Sequence, residues 1–247
     1  MFICNKRFYV LLSACTFMML SIYADVPCFF IEGPTGVGKT TFVELLGRSI
    51  PDVTIMHEPV ETFVDVHGTG NLLDLFFKDQ KRWAFTAEVY ITLMHMKAVE
   101  KHAKNSQASV AIIDRSMYAD CFVFGKMGYT AGTMSTIEWV MYKELFDWIV
   151  KNTTVKPHGF IYLKASPDIA LDRVKNRQRT EEKDLSMQFE EDLHRCYTEW
   201  FIEKKDIPAE LANIPLLIID ANQNFKDDPI IQQHCIDQVK AFIARSI

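Results

Sequence analysis

Gly33-Pro34-Thr35-Gly36-Val37-Gly38-Lys39-Thr40 matches the pattern G-x4-G-K-[ST] at every fixed position, and each residue type there has a reason to meet phosphate. The glycines let consecutive backbone N–H groups turn inward into an anion nest, and a helix that follows points its positive end at the same spot. Lys39 can bridge the β- and γ-phosphates of a nucleoside triphosphate, and the Thr40 hydroxyl can ligate Mg²⁺. Gly33, Thr35, Gly36, Gly38 and Thr41 complete the predicted nucleotide-binding set. The bland alternative is a glycine-rich turn with a stray lysine. Against it, the loop lies between a predicted strand and a predicted helix.

Further charged positions follow apolar runs. Glu58 stands in His57-Glu58-Pro59-Val60, and an acid and a base are adjacent in Asp114-Arg115-Ser116. Arg173, Arg177 and Arg179 recur at spacings of four and two, followed by Glu181 and Glu182. Structural readings compete with functional ones at each. A residue before proline prefers extended geometry, so Glu58 could simply end a strand. Asp114 and Arg115 could be a structural ion pair, and an Arg/Glu-rich helix is commonly a solvated face with i,i+4 pairs. No Asn-Lys-x-Asp segment occurs, which argues against a guanine-binding GTPase.

These residues need elements to position them. Short apolar runs at residues 26–32, 53–56, 109–114, 159–165 and 215–220 predict buried strands. Longer helical stretches separate them, the first over residues 40–50, where Phe42, Leu45 and Leu46 fall on one face. Alternating strands and helices predict an α/β chain with a parallel sheet covered on both faces. In such a sheet ligands bind at the carboxyl ends of the strands, where Glu32, His57-Glu58, Asp114 and Asp220 fall. Trp83, Phe85 and Tyr90 have helical spacing that suits a core face better than a ligand contact.

The 247 residues, 49% of them hydrophobic, suit one well-buried domain. A net charge of −5 provides no broad basic field, so nucleic acid is not an expected partner. The six cysteines, Cys4, Cys15, Cys28, Cys121, Cys196 and Cys235, lack any CxxC spacing and predict reduced, buried thiols. Lys6 and Arg7 precede an uncharged stretch over residues 8–24, which makes residues 1–24 a hydrophobic leader or targeting segment. Three readings of it stay open: an organelle-type extension, a membrane-targeting segment, or a later start at Met18 or Met19. The expected location is cytoplasmic or mitochondrial, with membrane contact only through the leader.

Several motifs in one order carry a resemblance over nearly the whole chain after the leader. They are the phosphate loop, Glu58-Pro59-Val60, Arg82-Trp83-Ala84-Phe85-Thr86, Asp114-Arg115-Ser116-Met117-Tyr118, Phe146-Asp147-Trp148, Ile161-Tyr162-Leu163 before Ser166-Pro167, Arg177-Gln178-Arg179-Thr180-Glu181-Glu182, and residues 220–225. In these the chain resembles the deoxyribonucleoside kinase family, which includes the deoxycytidine, deoxyguanosine and mitochondrial thymidine kinases. The resemblance implies a P-loop kinase domain over residues 25–247, with a five-stranded parallel sheet flanked by helices and an arginine-rich lid at about residues 173–184. It also implies a homodimer that moves the γ-phosphate of ATP to the 5′-hydroxyl of a deoxyribonucleoside.

Chemistry and resemblance then assign roles together. A sugar hydroxyl is a weak nucleophile, so a carboxylate must orient it and accept its proton late in a loose, charge-rich transition state. Glu58 is the candidate, with Arg115 holding it and stabilising the transferring group. Asp114 would join Thr40 on Mg²⁺, although the family usually has Glu there. Arg173, Arg177 and Arg179 would close over the phosphates, Asn224 and Phe225 would border the nucleotide, and Glu182 would accept a hydrogen bond from the sugar 3′-hydroxyl.

By resemblance the base lies between aromatic walls and is read by a glutamine. Phe124 fits the stacking position, Phe63 and Leu73 the walls, and Asp120 the same pocket. The glutamine position holds Glu88, a sugar-contacting tyrosine is Phe77, and a usual phenylalanine is Ala87. An ionised glutamate only accepts hydrogen bonds, which suits the two neighbouring donors of guanine and disfavours thymine and cytosine. Ala87 frees space for a larger base. Burial that protonates Glu88 would restore a donor, and a Glu88 turned away or paired with His95 is an equal alternative. Three other functions stay open: a nucleoside-monophosphate kinase, a non-catalytic ATP-binding subunit, and a membrane-associated nucleotide-binding module suggested by the leader.

Overall fold

The computed structural model describes residues 26–177 and 185–247. The leader, Arg179, Glu181 and Glu182 therefore lie outside the described residues, as does most of the expected lid. Strands β1 (Cys28–Glu32), β2 (Val53–Met56), β3 (Val110–Asp114), β4 (Pro157–Lys164) and β5 (Leu216–Asp220) form one sheet in the order β2-β3-β1-β4-β5. Every pairing is parallel. All five predicted strands are present, β2 with the predicted ends and the others with ends shifted by at most two residues.

Helices connect the strands. They are α1 (Lys39–Ser49), α2 (Glu61–Val64), α3 (Leu72–Lys78), α4 (Gln80–Asn105), α5 (Met117–Ala119), α6 (Lys126–Thr130), α7 (Thr136–Asn152), α8 (Pro167–Arg177), α9 (Met187–Phe201), α10 (Ala209–Ala212) and α11 (Pro229–Ser246). Between α5 and α6 the chain makes a π-helical run, Asp120–Gly125.

Alternation along β1 shows how the sheet divides the core. Cys28 and Phe30 face a layer with Tyr118, Tyr142, Phe146, Tyr197 and Trp200, whereas Phe29 and Ile31 face one with Phe42, Leu46, Val239 and Phe242. Both β1 and β3 are buried on every residue, as their unbroken apolar runs require. Trp83, Phe85 and Tyr90 stay out of the main cleft, and Phe85 packs on the first layer. Cys121, Cys196 and Cys235 are buried free thiols and Cys28 is buried as well, as expected; Cys4 and Cys15 lie outside the described residues.

β1 lies at the centre of the sheet, and the chain leaves it into the glycine-rich loop. Gly36 sits at φ +78°, and a Cβ there would collide with the Ala170 carbonyl oxygen of α8. Only glycine permits both the left-handed turn and that close approach.

Candidate active site

The cleft opens at the carboxyl ends of the strands and has a volume of about 800 Å³. Thr35, Gly36, Gly38, Lys39, Thr40 and Thr41 line its loop side, with Arg173, Arg177, Asn224 and Phe225 beside them. Across from these stand Glu58, Asp114 and Arg115, and deeper in lie Phe63, Leu73, Phe77, Glu88, Asp120 and Phe124. The fold thus gathers residues far apart in sequence at one place. Gly33 stays beneath the cleft: its carbonyl accepts from Lys39 Nζ at 2.8 Å, as does that of Pro34 at 2.8 Å. Burial and Arg115 press the Lys39 proton affinity down, while Asp114, Glu58 and Glu32 oppose them. Two carbonyl partners nonetheless require an N–H donor on Nζ.

Glu58 follows β2, and Arg115 follows β3. Arg115 Nε lies 2.9 Å from Glu58 Oε1, and only 8% of the Arg115 side chain is exposed against 22% for Glu58. Arg115 adopts φ +64°, a left-handed conformation that costs a non-glycine residue about 1–3 kcal/mol and tends to persist only where the surroundings demand it. Its guanidinium packs 4.8 Å from the centre of the Phe124 ring. Burial works against the Arg115 charge, but Glu58, Tyr197 and Glu32 outweigh it and raise the proton affinity. Arg115 is a fixed cation, held where the Glu58 carboxylate needs one.

Thr40 Oγ1 donates to Asp114 Oδ2 at 2.9 Å. Asp114 Oδ1 is buried with no hydrogen-bond partner. A hydroxyl beside a carboxylate with a spare oxygen is a donor set for a hard cation. Burial and the neighbouring Glu58 raise the Asp114 proton affinity, while Lys39, the Thr40 bond and Arg115 lower it. A cation between Thr40 and Asp114 would favour the ionised form. No group of three or more His, Cys, Asp or Glu that could hold a metal occurs among the described residues. A Mg²⁺ that shares phosphate oxygens needs only one or two carboxylates.

Deeper in the cleft, Glu88 is buried and its Oε2 has no hydrogen-bond partner. Burial first, then the charge of Asp120, pushes its proton affinity well above the ordinary carboxyl value, with Arg115 pulling weakly the other way. The ionised Glu88 on which a guanine preference depends is thus disfavoured by its surroundings. The alternative pairing with His95 is not what forms either: His95 Nδ1 lies 2.7 Å from Asp120 Oδ2. The π-helical run sets Asp120 and Phe124 four residues apart along the cleft wall, an irregularity common at functional sites. Phe77 packs on Phe76 and Phe189 and presents no hydroxyl to the cleft.

Arg173 reaches the cleft, but its guanidinium donates to the carbonyls of Val37 at 3.3 Å, Ala221 at 2.7 Å, Asn222 at 3.4 Å and Gln223 at 3.4 Å. It ties α8 to the loop and to the segment after β5.

Two residues of the site had no role in the sequence reading. Glu32, fully buried at the end of β1, accepts from Ser116 Oγ and, at 3.2 Å, from Tyr197 Oη. Tyr197 Oη in turn accepts from Arg115 Nη1 at 3.3 Å. Burial drives the Glu32 carboxyl up to about 7, against the pull of Arg115, the Ser116 bond and Lys39. Glu32 was visible as a charged strand end. Nothing near Tyr197 in the sequence marks it, because α9 comes into contact through tertiary packing alone.

A phosphate nest at one strand end facing an arginine-held carboxylate at another is what a P-loop phosphotransferase requires, and this chain has that architecture. The deoxynucleoside kinase family model matches residues 29–244. Deoxycytidine kinase 2 of Gallus gallus is 30% identical over 235 residues, covering 86% of this chain and 89% of the relative. The mitochondrial deoxyguanosine kinase of Xenopus laevis is 29% identical, covering 87% of this chain and 88% of the relative. The mitochondrial thymidine kinase 2 of Homo sapiens is 31% identical, covering 79% and 71%. The chain belongs to the deoxynucleoside kinase family, and it is an enzyme of that class.

Proposed function

We propose that this enzyme transfers the γ-phosphate of ATP to the 5′-hydroxyl of a deoxyribonucleoside, in nucleotide salvage. The observation that carries the reading is the Arg115–Glu58 pair at 2.9 Å, set in the same cleft as Lys39 and the glycine-rich loop. Glu58 orients the hydroxyl and accepts its proton as the phosphoryl group departs. Arg115 stabilises the charge that spreads over that group, and Lys39 with the loop N–H groups holds the phosphates. Mg²⁺, held by Thr40 and Asp114, would neutralise the phosphate oxygens. Phe63, Leu73, Phe77 and Phe124 wall the nucleoside, while Arg177, Asn224 and Phe225 border the triphosphate. Arg179 and Glu182 keep their lid and sugar roles by resemblance alone.

Base choice does not follow from kinship, since relatives named for three different bases match at 29–31% identity. A neutral Glu88 has one donor and one acceptor, like an amide, and can pair with several bases by rotating its carboxyl. The raised proton affinity of Glu88 supports acceptance of several bases over a guanine preference. A cytoplasmic or mitochondrial location, where ATP is at hand, fits the reaction. Among the described residues no helix is long and apolar enough to cross a membrane.

The exposed face of α7 supports a homodimer. Ile137, Val140, Met141 and Trp148 are 70%, 46%, 52% and 60% exposed, an apolar stripe on the side opposite the buried Tyr142, Phe146 and Ile149. Light scattering that gives the mass of two chains would support this; a single-chain mass would reject it.

The reaction itself is tested with γ-labelled ATP and a panel of acceptors. Labelled 5′-monophosphates from deoxynucleosides support it. Label transferred only to nucleoside monophosphates would replace it with the monophosphate-kinase reading, and ATP binding without transfer would leave a non-catalytic subunit.

A further inference from the structure

The transfer chemistry above makes no use of His95, yet its ring is fully buried between two carboxylates of the cleft. Nδ1 lies 2.7 Å from Asp120 Oδ2, and Nε2 lies 3.7 Å from Glu58 Oε1. His95 stands seven residues after Glu88 on α4, two turns along the same face. Its ring meets Phe63 edge to face, with centroids 5.6 Å apart at 89°. One cleft-facing carboxylate therefore belongs to the base end, the other to the transfer end, and one imidazole spans them.

The protons on that imidazole follow from its partners. A contact of 2.7 Å to a carboxylate requires N–H on Nδ1. If the ring were neutral, Nε2 would then turn a lone pair toward Glu58, acceptor against acceptor. Only the doubly protonated ring offers a donor to each carboxylate. Three charged groups face the ring. Burial opposes its charge, but Asp120, by charge and hydrogen bond, and Glu58 overcome that and raise its proton affinity; Arg115 pulls it down.

We propose that His95 is a positioning residue that couples the base-binding end of the cleft to the proton-accepting carboxylate: anchored on Asp120 through Nδ1, it presents Nε2–H to Glu58 and, with Arg115, orients that carboxylate and keeps it ionised. Arg115 Nε holds Oε1 at 2.9 Å, and His95 Nε2, which has no hydrogen-bond partner of its own, faces the same oxygen at 3.7 Å, a distance that a small movement on substrate binding would close. Asp120 also lines the cleft, so a base that shifts it moves the anchor on which His95 rests. The proposal rests on the kinase reading, with Glu58 as proton acceptor.

The test compares intact wild-type enzyme with His95→Gln, measuring kcat and KM for deoxycytidine across about pH 5.5 to 9. His95→Gln should lose about 10- to 100-fold in kcat while KM stays within about three-fold. Its acid limb should move to higher pH, because Glu58, left with Arg115 and without the imidazolium, holds its proton more tightly. Turnover within two-fold of wild type with an unmoved acid limb, or a loss confined to KM, would overturn the proposal. Should His95→Gln not fold, the ¹⁵N spectrum of the wild-type ring decides: both nitrogens protonated at pH 7 supports the proposal, and a neutral ring overturns it. Absence of transfer by the wild type would remove the kinase reading and this role with it, whereas an active wild type with an indifferent His95→Gln removes this role alone.

Discussion

The two ends of the cleft are built on different principles. At the transfer end the main charges have partners: Arg115 holds Glu58, Thr40 bonds Asp114 Oδ2 while Oδ1 stays open on the side proposed for Mg²⁺, and Lys39 donates to two loop carbonyls. At the base end Glu88 leaves a buried oxygen unbonded, and Asp120 bonds His95 rather than a cation of the transfer end. Paired charges fix geometry, as a reaction with a narrow window for attack requires. Unpaired polar atoms leave hydrogen-bonding capacity for a ligand to satisfy, which is how a pocket reads a base. A change at the transfer end should therefore act on turnover, and one at the base end on substrate choice and stability.

The largest departure from this division would come from Lys39→Met. It should cut kcat/KM by about 10³-fold, the scale expected when one preorganised charge at a phosphoryl group is removed. A smaller loss, below tenfold, would mean that the loop N–H groups suffice and that the lysine serves mainly to brace Gly33 and Pro34. Next comes Asp114→Asn, which keeps the Thr40 contact but removes the charge. Half-maximal activity should then need roughly tenfold more Mg²⁺, with nucleoside KM little changed. An unaltered Mg²⁺ requirement would take Asp114 out of the metal set.

At the base end Glu88→Gln should act on stability more than on rate. The folded carboxyl has its proton affinity raised by burial, so the native state holds a proton the unfolded chain has released. That difference costs nothing well below pH 4.5 and grows as pH rises above it. Replacing Glu88 by a neutral amide should raise Tm by about 2–4 °C at pH 8, by less at pH 5, and change turnover by less than about threefold. A Tm gain equal at both pH values would show that Glu88 is paired and ionised.

How much of this was legible in the sequence differs between the same two ends. The sheet could be read from five apolar runs because a strand covered on both faces has no polar alternation to interrupt it. The loop and the strand-end acids were equally plain, since their chemistry depends on spacing within a few residues. Glu88 was visible as a departure, but its protonation depends on burial beside Asp120, which sits 32 positions later in the chain. His95 could be read only as a candidate partner for Glu88 at helical spacing; its contact with Asp120 appears when α4 packs against the π-helical run. The Arg173 spacing suggested a lid residue, but the carbonyls it binds belong to residues 37 and 221–223, contacts that no local pattern encodes.

The central claim is that the carboxylate at position 58 takes the proton of a deoxynucleoside hydroxyl held against ATP. It is tested most directly by single-turnover transfer from γ-labelled ATP to deoxycytidine, with wild type and Glu58→Gln side by side at saturating concentrations of both substrates. The expected result is a phosphoryl-transfer rate lower by about 10²- to 10⁴-fold in Glu58→Gln, with undiminished binding of ATP. A transfer rate within a few-fold of wild type would contradict it and leave Glu58 as no more than the partner of Arg115.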